Sequence, residues 1–180
     1  MNISIEQLKL LEDYRDKTYV SAILCEKSSN FYTFYKNLFN IPLILTSSIM
    51  SIINSTNIDQ DKLKYINVVI NGLTALTITF INQYKFSEKS NIFKSSYLKF
   101  TKLLHNIEDS LINNKNNITT DNIREYINIY DTLYENLIDT TFPESIKNRV
   151  RELYKNNRVL PNILNCETKV INNDLVIVNK

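Results

Sequence analysis

The sequence predicts an all-α fold, a two-pass transmembrane helical hairpin with long cytosolic helical extensions and a small C-terminal extended or β-hairpin tail. Three observations carry that prediction. Two runs, Leu38–Asn54 and Tyr65–Tyr84, contain no Asp, Glu, Lys or Arg. Elsewhere up to residue 156 the apolar residues recur at steps of three and four, the spacing of one helix face. One glycine and three prolines in 180 residues leave few breakers to interrupt those helices.

Composition narrows the function classes. A net charge of +2 provides no polybasic field for tracking phosphates, so nucleic acid is not expected as a partner. The single glycine, Gly72, excludes a glycine-rich phosphate loop and a dinucleotide fingerprint. Cys25 and Cys166 lack metal-ligand spacing and His105 is the only histidine, so no zinc site and no Ser-His-Asp triad is written here. His105, beside Leu104, reads as a surface or interhelical residue. Neither enzymatic activity, nor a cofactor, nor a metal is expected. The 26 Asn and 25 Ile beside two Ala reflect AT-rich codon use, so the many asparagines need no functional explanation.

The elements follow in order. Ser4-Ile5-Glu6-Gln7 has capping-box form and opens a long helix carrying Leu8, Leu11, Thr18, Ala22, Cys25 and Tyr32 on one face. Met1 to Glu26 is charged throughout, so no secretory signal is expected and insertion falls to the internal runs. At about 1.5 Å per residue, Tyr65 to Tyr84 covers about 28 Å, close to a hydrocarbon core of about 30 Å. Phe31, Phe34, Tyr35 and Phe39 before the first span, with Tyr65 and Tyr84 around the second, place aromatic rings at the expected interfaces. Pro42 stands at the start of the first span, where a missing N–H is tolerated or kinks a helix running through. The polar stretch Ser55–Lys64 supplies the turn. Lys27 and Lys36 flank the first span and Lys85, Lys89, Lys94, Lys99 and Lys102 follow the second, which predicts cytosolic termini.

Both spans are diluted by Ser, Thr and Asn, as a buried soluble hairpin would be, but neither keeps the charged outer stripe of a soluble helix. Within a membrane, the small residues Ser47, Ser51, Gly72, Ala75 and Thr79, together with Pro42, are expected to pack the two spans closely. Beyond them Phe86, Phe93, Tyr97, Phe100, Leu104, Ile107 and Leu111 predict one helix continuing from the second span to Asn113. A further helix carries Ile123, Ile127, Tyr130, Leu133 and Leu137, N-capped at Thr120 or Asp121. Ser145 to Asn156 reads as a short helix with Ile146, Val150 and Leu153, Val159 to Leu164 as an extended apolar stretch, and residues 169–178 as a hairpin or an added strand. The expected layout is an N-terminal amphipathic helix over 1–36, a hairpin over 37–84 with spans 37–54 and 65–84, a helical region over 85–156 and a tail over 157–180.

The run Asn40-Ile41-Pro42-Leu43-Ile44-Leu45-Thr46-Ser47-Ser48-Ile49, then Asn71-Gly72-Leu73 and Tyr84-Lys85-Phe86-Ser87-Glu88-Lys89, resembles the SLATT superfamily of two-transmembrane proteins. The likeness covers roughly residues 14 to 112 and is nearest to the SLATT-like membrane proteins of nucleocytoplasmic large DNA viruses. Phe142-Pro143 and Leu160-Pro161-Asn162-Ile163-Leu164-Asn165 resemble the C-terminal region of that viral group. Where the viral pattern often carries His, this chain has Cys25 and Asn91, so no role of those histidines transfers. For the viral branch the resemblance implies a structural component of the virion internal membrane linking bilayer to capsid. For the bacterial branch it implies a pore-forming effector; in this chain the polar residues Asn67, Asn71, Ser47 and Ser51 of the spans would then line a path between copies. The expected partners are the lipid bilayer, capsid or other virion proteins, and a second copy of the chain; Leu160, Pro161, Ile163 and Leu164 of the tail either meet such a partner or pack within the chain.

Overall fold

The computed structural model describes residues 4–55, 60–113, 118–156, 159–171 and 174–179, with backbone alone for 60–62, 113 and everything from 165 onward. The fold is helical, with α1 Ile5–Asn54, α2 Gln60–Tyr84, α3 Phe86–Asn113, α4 Thr120–Ile138, α5 Glu144–Tyr154 and α6 Asn162–Asn165, followed by strands β1 Cys166–Ile171 and β2 Asp174–Asn179. Two compact units emerge, one of residues 1–28 with 92–180 and one of residues 29–91. These limits differ from boundaries at 36 and 84, because the residues just outside the spans pack with the hairpin itself.

The helix starts follow local chemistry. Ser4 N–H donates to Gln7 Oε1 at 3.1 Å and Gln7 N–H to Ser4 Oγ at 3.2 Å, closing the capping box that the sequence spells. From there α1 runs on through Pro42, whose missing N–H leaves the Leu38 carbonyl without its usual helical donor. The α4 cap is Thr119, one residue ahead of the expected position. Its hydroxyl accepts from Asn122 N–H at 3.3 Å and its own N–H donates to Asn122 Oδ1 at 3.0 Å. Asparagine here replaces the usual Glu or Gln of a capping box.

The larger unit buries Leu11, Val20 and Leu24 of α1 against Phe93, Phe100, Leu103 and Ile107 of α3 and Ile123, Tyr130, Leu133 and Leu137 of α4. Of the expected α3 stripe Phe93, Phe100 and Ile107 are buried in this unit and Tyr97, Leu104 and Leu111 half-buried beside them, while Ser96 and Leu103 join the buried face. Tyr130 is its central ring. Tyr14 meets it edge-on at 5.4 Å, Phe100 lies 5.8 Å away, and Ser21 Oγ is 3.2 Å from its hydroxyl. Phe142, at the Phe142-Pro143 break, closes on Phe93 at 4.6 Å and is buried. On α5 only Val150 is buried, while Leu153 is exposed, contrary to the expected stripe.

Past α5 the chain folds back onto this unit. Arg151 Nε donates to the Leu164 carbonyl at 2.7 Å, and Pro161 and Leu164 are buried while Leu160 and Ile163 are half-buried. Of the two arrangements open to this apolar stretch, docking on a partner or packing within the chain, the structure has the second, and Asn162–Asn165 are turned into α6 where an extended segment was expected. The backbone of β1 pairs antiparallel with β2, from Cys166 opposite Asn179 to Ile171 opposite Asp174.

Candidate membrane-spanning hairpin

The unit of residues 29–91 pairs the C-terminal half of α1 with α2. Its cross-helix contacts run in opposite chain directions. Asn67 Nδ2 donates to Asn54 Oδ1 at 3.1 Å, Phe39 meets Phe80 at 5.1 Å, and Thr33 Oγ1 lies 2.7 Å from Ser90 Oγ. The pair is therefore antiparallel. At its base Ser29 Oγ donates to the Ser90 carbonyl at 3.1 Å and Ser90 Oγ to the Ser29 carbonyl at 3.4 Å. Two small side chains permit this close approach.

The less exposed positions define the seam. On α1 they include Tyr32, Tyr35, Phe39, Leu43, Thr46, Met50 and Ile53, and on α2 Leu63, Asn67, Ile70, Thr74, Thr77 and Ile81. Steps of three and four recur along both, the repeat that keeps two helices in contact over their length. The residues expected to pack the spans lie elsewhere. Pro42, Ser47, Ser51, Gly72, Ala75 and Thr79 are all exposed, and a Cβ built on Gly72 meets nothing within 4 Å. Medium-sized Leu, Ile, Met and Thr side chains fill the seam instead, so smallness was the wrong signal for this contact. Pro42 does line a crevice of about 240 Å³ beside the seam, with Leu38 and Phe39 on α1 and Leu73, Thr74 and Thr77 on α2.

Both helices are long and apolar enough to cross a membrane. Only 6% of the most apolar window of α1 is buried, and none of the corresponding window that α2 opens. Ile41, Ile44, Leu45 and Ile52 of α1 and Val68, Val69, Leu73 and Leu76 of α2 are each more than half exposed. A soluble core helix has the opposite pattern, since apolar residues on its inner face are covered.

The aromatic residues gather at one end. Phe86 is buried at 7% exposure and stacks on Tyr84 at 5.6 Å, Tyr35 at 5.9 Å and Phe39 at 5.9 Å, with Phe80 at 6.0 Å. Lys89 Nζ lies 5.5 Å above the Tyr32 ring. Rings with an apolar body and a polar tip, next to ammonium groups, suit the boundary between hydrocarbon and water. Of the expected belt, Tyr35 and Tyr84 belong to this nest, whereas Tyr65 stands exposed toward the opposite end of α2.

This nest explains a break in the helix that the sequence reads as continuous. Lys85 takes φ 51°, the left-handed region, and separates α2 from α3. Such a conformation costs a residue with a Cβ about 1–2 kcal/mol. Burial of the Phe86 ring among five other aromatics, Tyr32 at 6.5 Å being the fifth, offsets it, since a buried aromatic side chain gains about 1.5–3 kcal/mol.

The polar side chains inside the spans divide by partner. Ser48 donates to the Ile44 carbonyl at 2.9 Å, and Thr77 and Thr79 donate to the Leu73 and Ala75 carbonyls at 2.8 Å each. Hydroxyls satisfied by their own helix are compatible with hydrocarbon. Asn67 has Asn54. Asn71, exposed on α2, has no side-chain hydrogen bond among the described residues, and neither do Ser47 and Ser51.

Among the described residues no three His, Cys, Asp or Glu side chains come together to hold a metal ion, and His105 is exposed on α3. Cys25 is a buried free thiol, pushed up to about 12 by desolvation. Burial likewise raises the Tyr14 and Tyr130 hydroxyls, with the Asp131 carboxylate adding to it. Both border a small recess of about 70 Å³ with Lys17, Tyr134 and Asn162. Comparison with protein-family models, with curated proteins and with solved structures finds no match to this chain.

Proposed function

We propose that the protein is a two-pass integral membrane anchor. Its hairpin holds a helical module at the membrane surface, where that module meets other proteins. The observation that carries this is the exposed apolar coat of both spans, left bare by every described residue of the chain and bounded at one end by aromatic rings and lysines. Connectivity adds the topology. Both ends of the hairpin lead into the module, and Lys27, Lys36, Lys85, Lys89 and Lys94 flank those ends, which favours the cytosolic side for both termini. The likeness to SLATT-like membrane proteins of large DNA viruses supports a virion internal membrane as the location and a capsid protein as the partner.

Single cysteines at Asn2, Asn57 and Asn179, in a chain with Cys166 replaced by serine, test this. In intact membranes Asn2→Cys and Asn179→Cys should react with an impermeant maleimide from the cytosolic side, and Asn57→Cys only after permeabilisation. Cytosolic labelling of all three would refute the hairpin. Liposomes reconstituted with the protein should retain a small dye, whereas leakage abolished by Asn67→Leu and Asn71→Leu would favour a pore.

A further inference from the structure

Asn71 poses a physical problem for any chain whose second span is α2. Counted from Tyr65 to Tyr84, it lies about 5 Å from the middle of the span at 1.5 Å per residue. Water does not reach that depth, and an amide in hydrocarbon without partners is costly. The Thr77 and Thr79 hydroxyls bond their own helix and Asn67 has Asn54, but Asn71 has no side-chain partner among the described residues. At 100° per residue Asn71, Gly72, Ala75 and Thr79 fall within one arc of about 100° on α2, shared with Val68, that runs from beside the seam residue Asn67 to the side opposite α1. All four are exposed, and a Cβ on Gly72 would meet nothing within 4 Å.

We propose that this face of α2 is a homodimer interface within the membrane, in which the Asn71 amides of two copies hydrogen-bond to each other. The proposal rests on the membrane-anchor assignment. A second copy is the occupant because the face is self-complementary. Between Tyr65 and Tyr84 it carries no charge for another protein to match, and a carboxamide donates through its N–H and accepts through its oxygen. Copies inserted the same way hold Asn71 at the same depth, so a two-fold axis along the membrane normal brings the two amides together. Gly72 and Ala75 let the two backbones approach to that distance, and Thr79 has its hydroxyl turned to its own helix. The small residues of α2 thus serve a contact between chains and not the one within the hairpin.

Full-length protein with Cys166→Ser, reconstituted in phosphatidylcholine vesicles, provides the test. Single substitutions Gly72→Cys and Ala75→Cys should give disulfide dimers under a membrane-permeant oxidant, whereas Leu73→Cys and Ile41→Cys, on other faces, should not. Asn71→Leu should weaken self-association about 3- to 30-fold, matching interhelical hydrogen bonds of about 0.6–2 kcal/mol in membranes. Asn71→Gln, which keeps the amide, should restore most of it. Alkaline carbonate extraction of the same vesicles reads insertion separately. Chains that resist extraction yet cross-link equally at all four positions, or at none, overturn the dimer alone. Chains released by carbonate overturn the membrane anchor and the dimer with it.

Discussion

The left-handed residue between α2 and α3 allows a test in which two readings of the chain predict opposite signs. If Lys85 holds φ 51°, replacing it by glycine relieves about 1–2 kcal/mol of steric cost and adds about 0.5–1 kcal/mol of unfolded-state entropy. Lys85→Gly should then be more stable than Lys85→Ala by about 1 kcal/mol. In an uninterrupted helix the order reverses, with alanine ahead of glycine by about 1 kcal/mol. Comparing Gly with Ala at the one position cancels the loss of the exposed ion pair between Lys85 Nζ and Glu88 Oε2 at 3.2 Å, which contributes little in any case. Lys94, exposed inside α3, is the internal control and should prefer alanine. Unfolding in detergent micelles followed by far-ultraviolet circular dichroism gives the four stabilities. Should glycine be the poorer residue at 85 by the same margin as at 94, α2 and α3 form one helix, and the aromatic nest around Phe86 does not break it.

Phe100→Ala, which empties a fully buried site against Tyr130, should cost about 3–5 kcal/mol by chemical denaturation of the full chain. Thr119→Ala should cost about 1 kcal/mol through loss of the α4 cap, and Asp121→Ala distinctly less, by the same measurement. Cys25 should resist maleimide in the folded chain at pH 8 and react once denatured. With its thiol raised from 9.0 to about 12, the folded state keeps its proton where the unfolded state loses it, so this contribution to stability is complete below pH 9 and is lost as pH rises from there toward 12, by about 1.4 kcal/mol per unit. Gly72→Leu should leave unfolding of the dilute monomer unchanged within about 0.5 kcal/mol, because the new side chain enters open space, whereas Met50→Ala in the seam should cost about 1 kcal/mol or more.

What the sequence determined by itself are the properties that each segment carries alone. Two charge-free runs of bilayer length, the helical period on either side of them and the capping box at Ser4 are legible because charge burial, helical spacing and local hydrogen bonds need no knowledge of a distant neighbour. The exposed apolar spans and most of the α4 stripe, Ile123, Tyr130, Leu133 and Leu137, follow those signals. The tertiary structure decided what depends on who faces whom. Several faces of α2 are apolar enough to pack, and only the antiparallel register with α1 selects Ile70, Thr74 and Thr77 over Gly72 and Ala75. Nothing near Lys85 breaks a helix locally, and the break arises because Phe86 finds rings from α1 that lie some fifty residues earlier in the chain. The same holds for Leu164, whose apolar side chain and carbonyl look free for a partner until Arg151 and the buried face of the helical unit take them up. A sequence records how much surface must be covered, and the cover itself is a matter of long-range geometry.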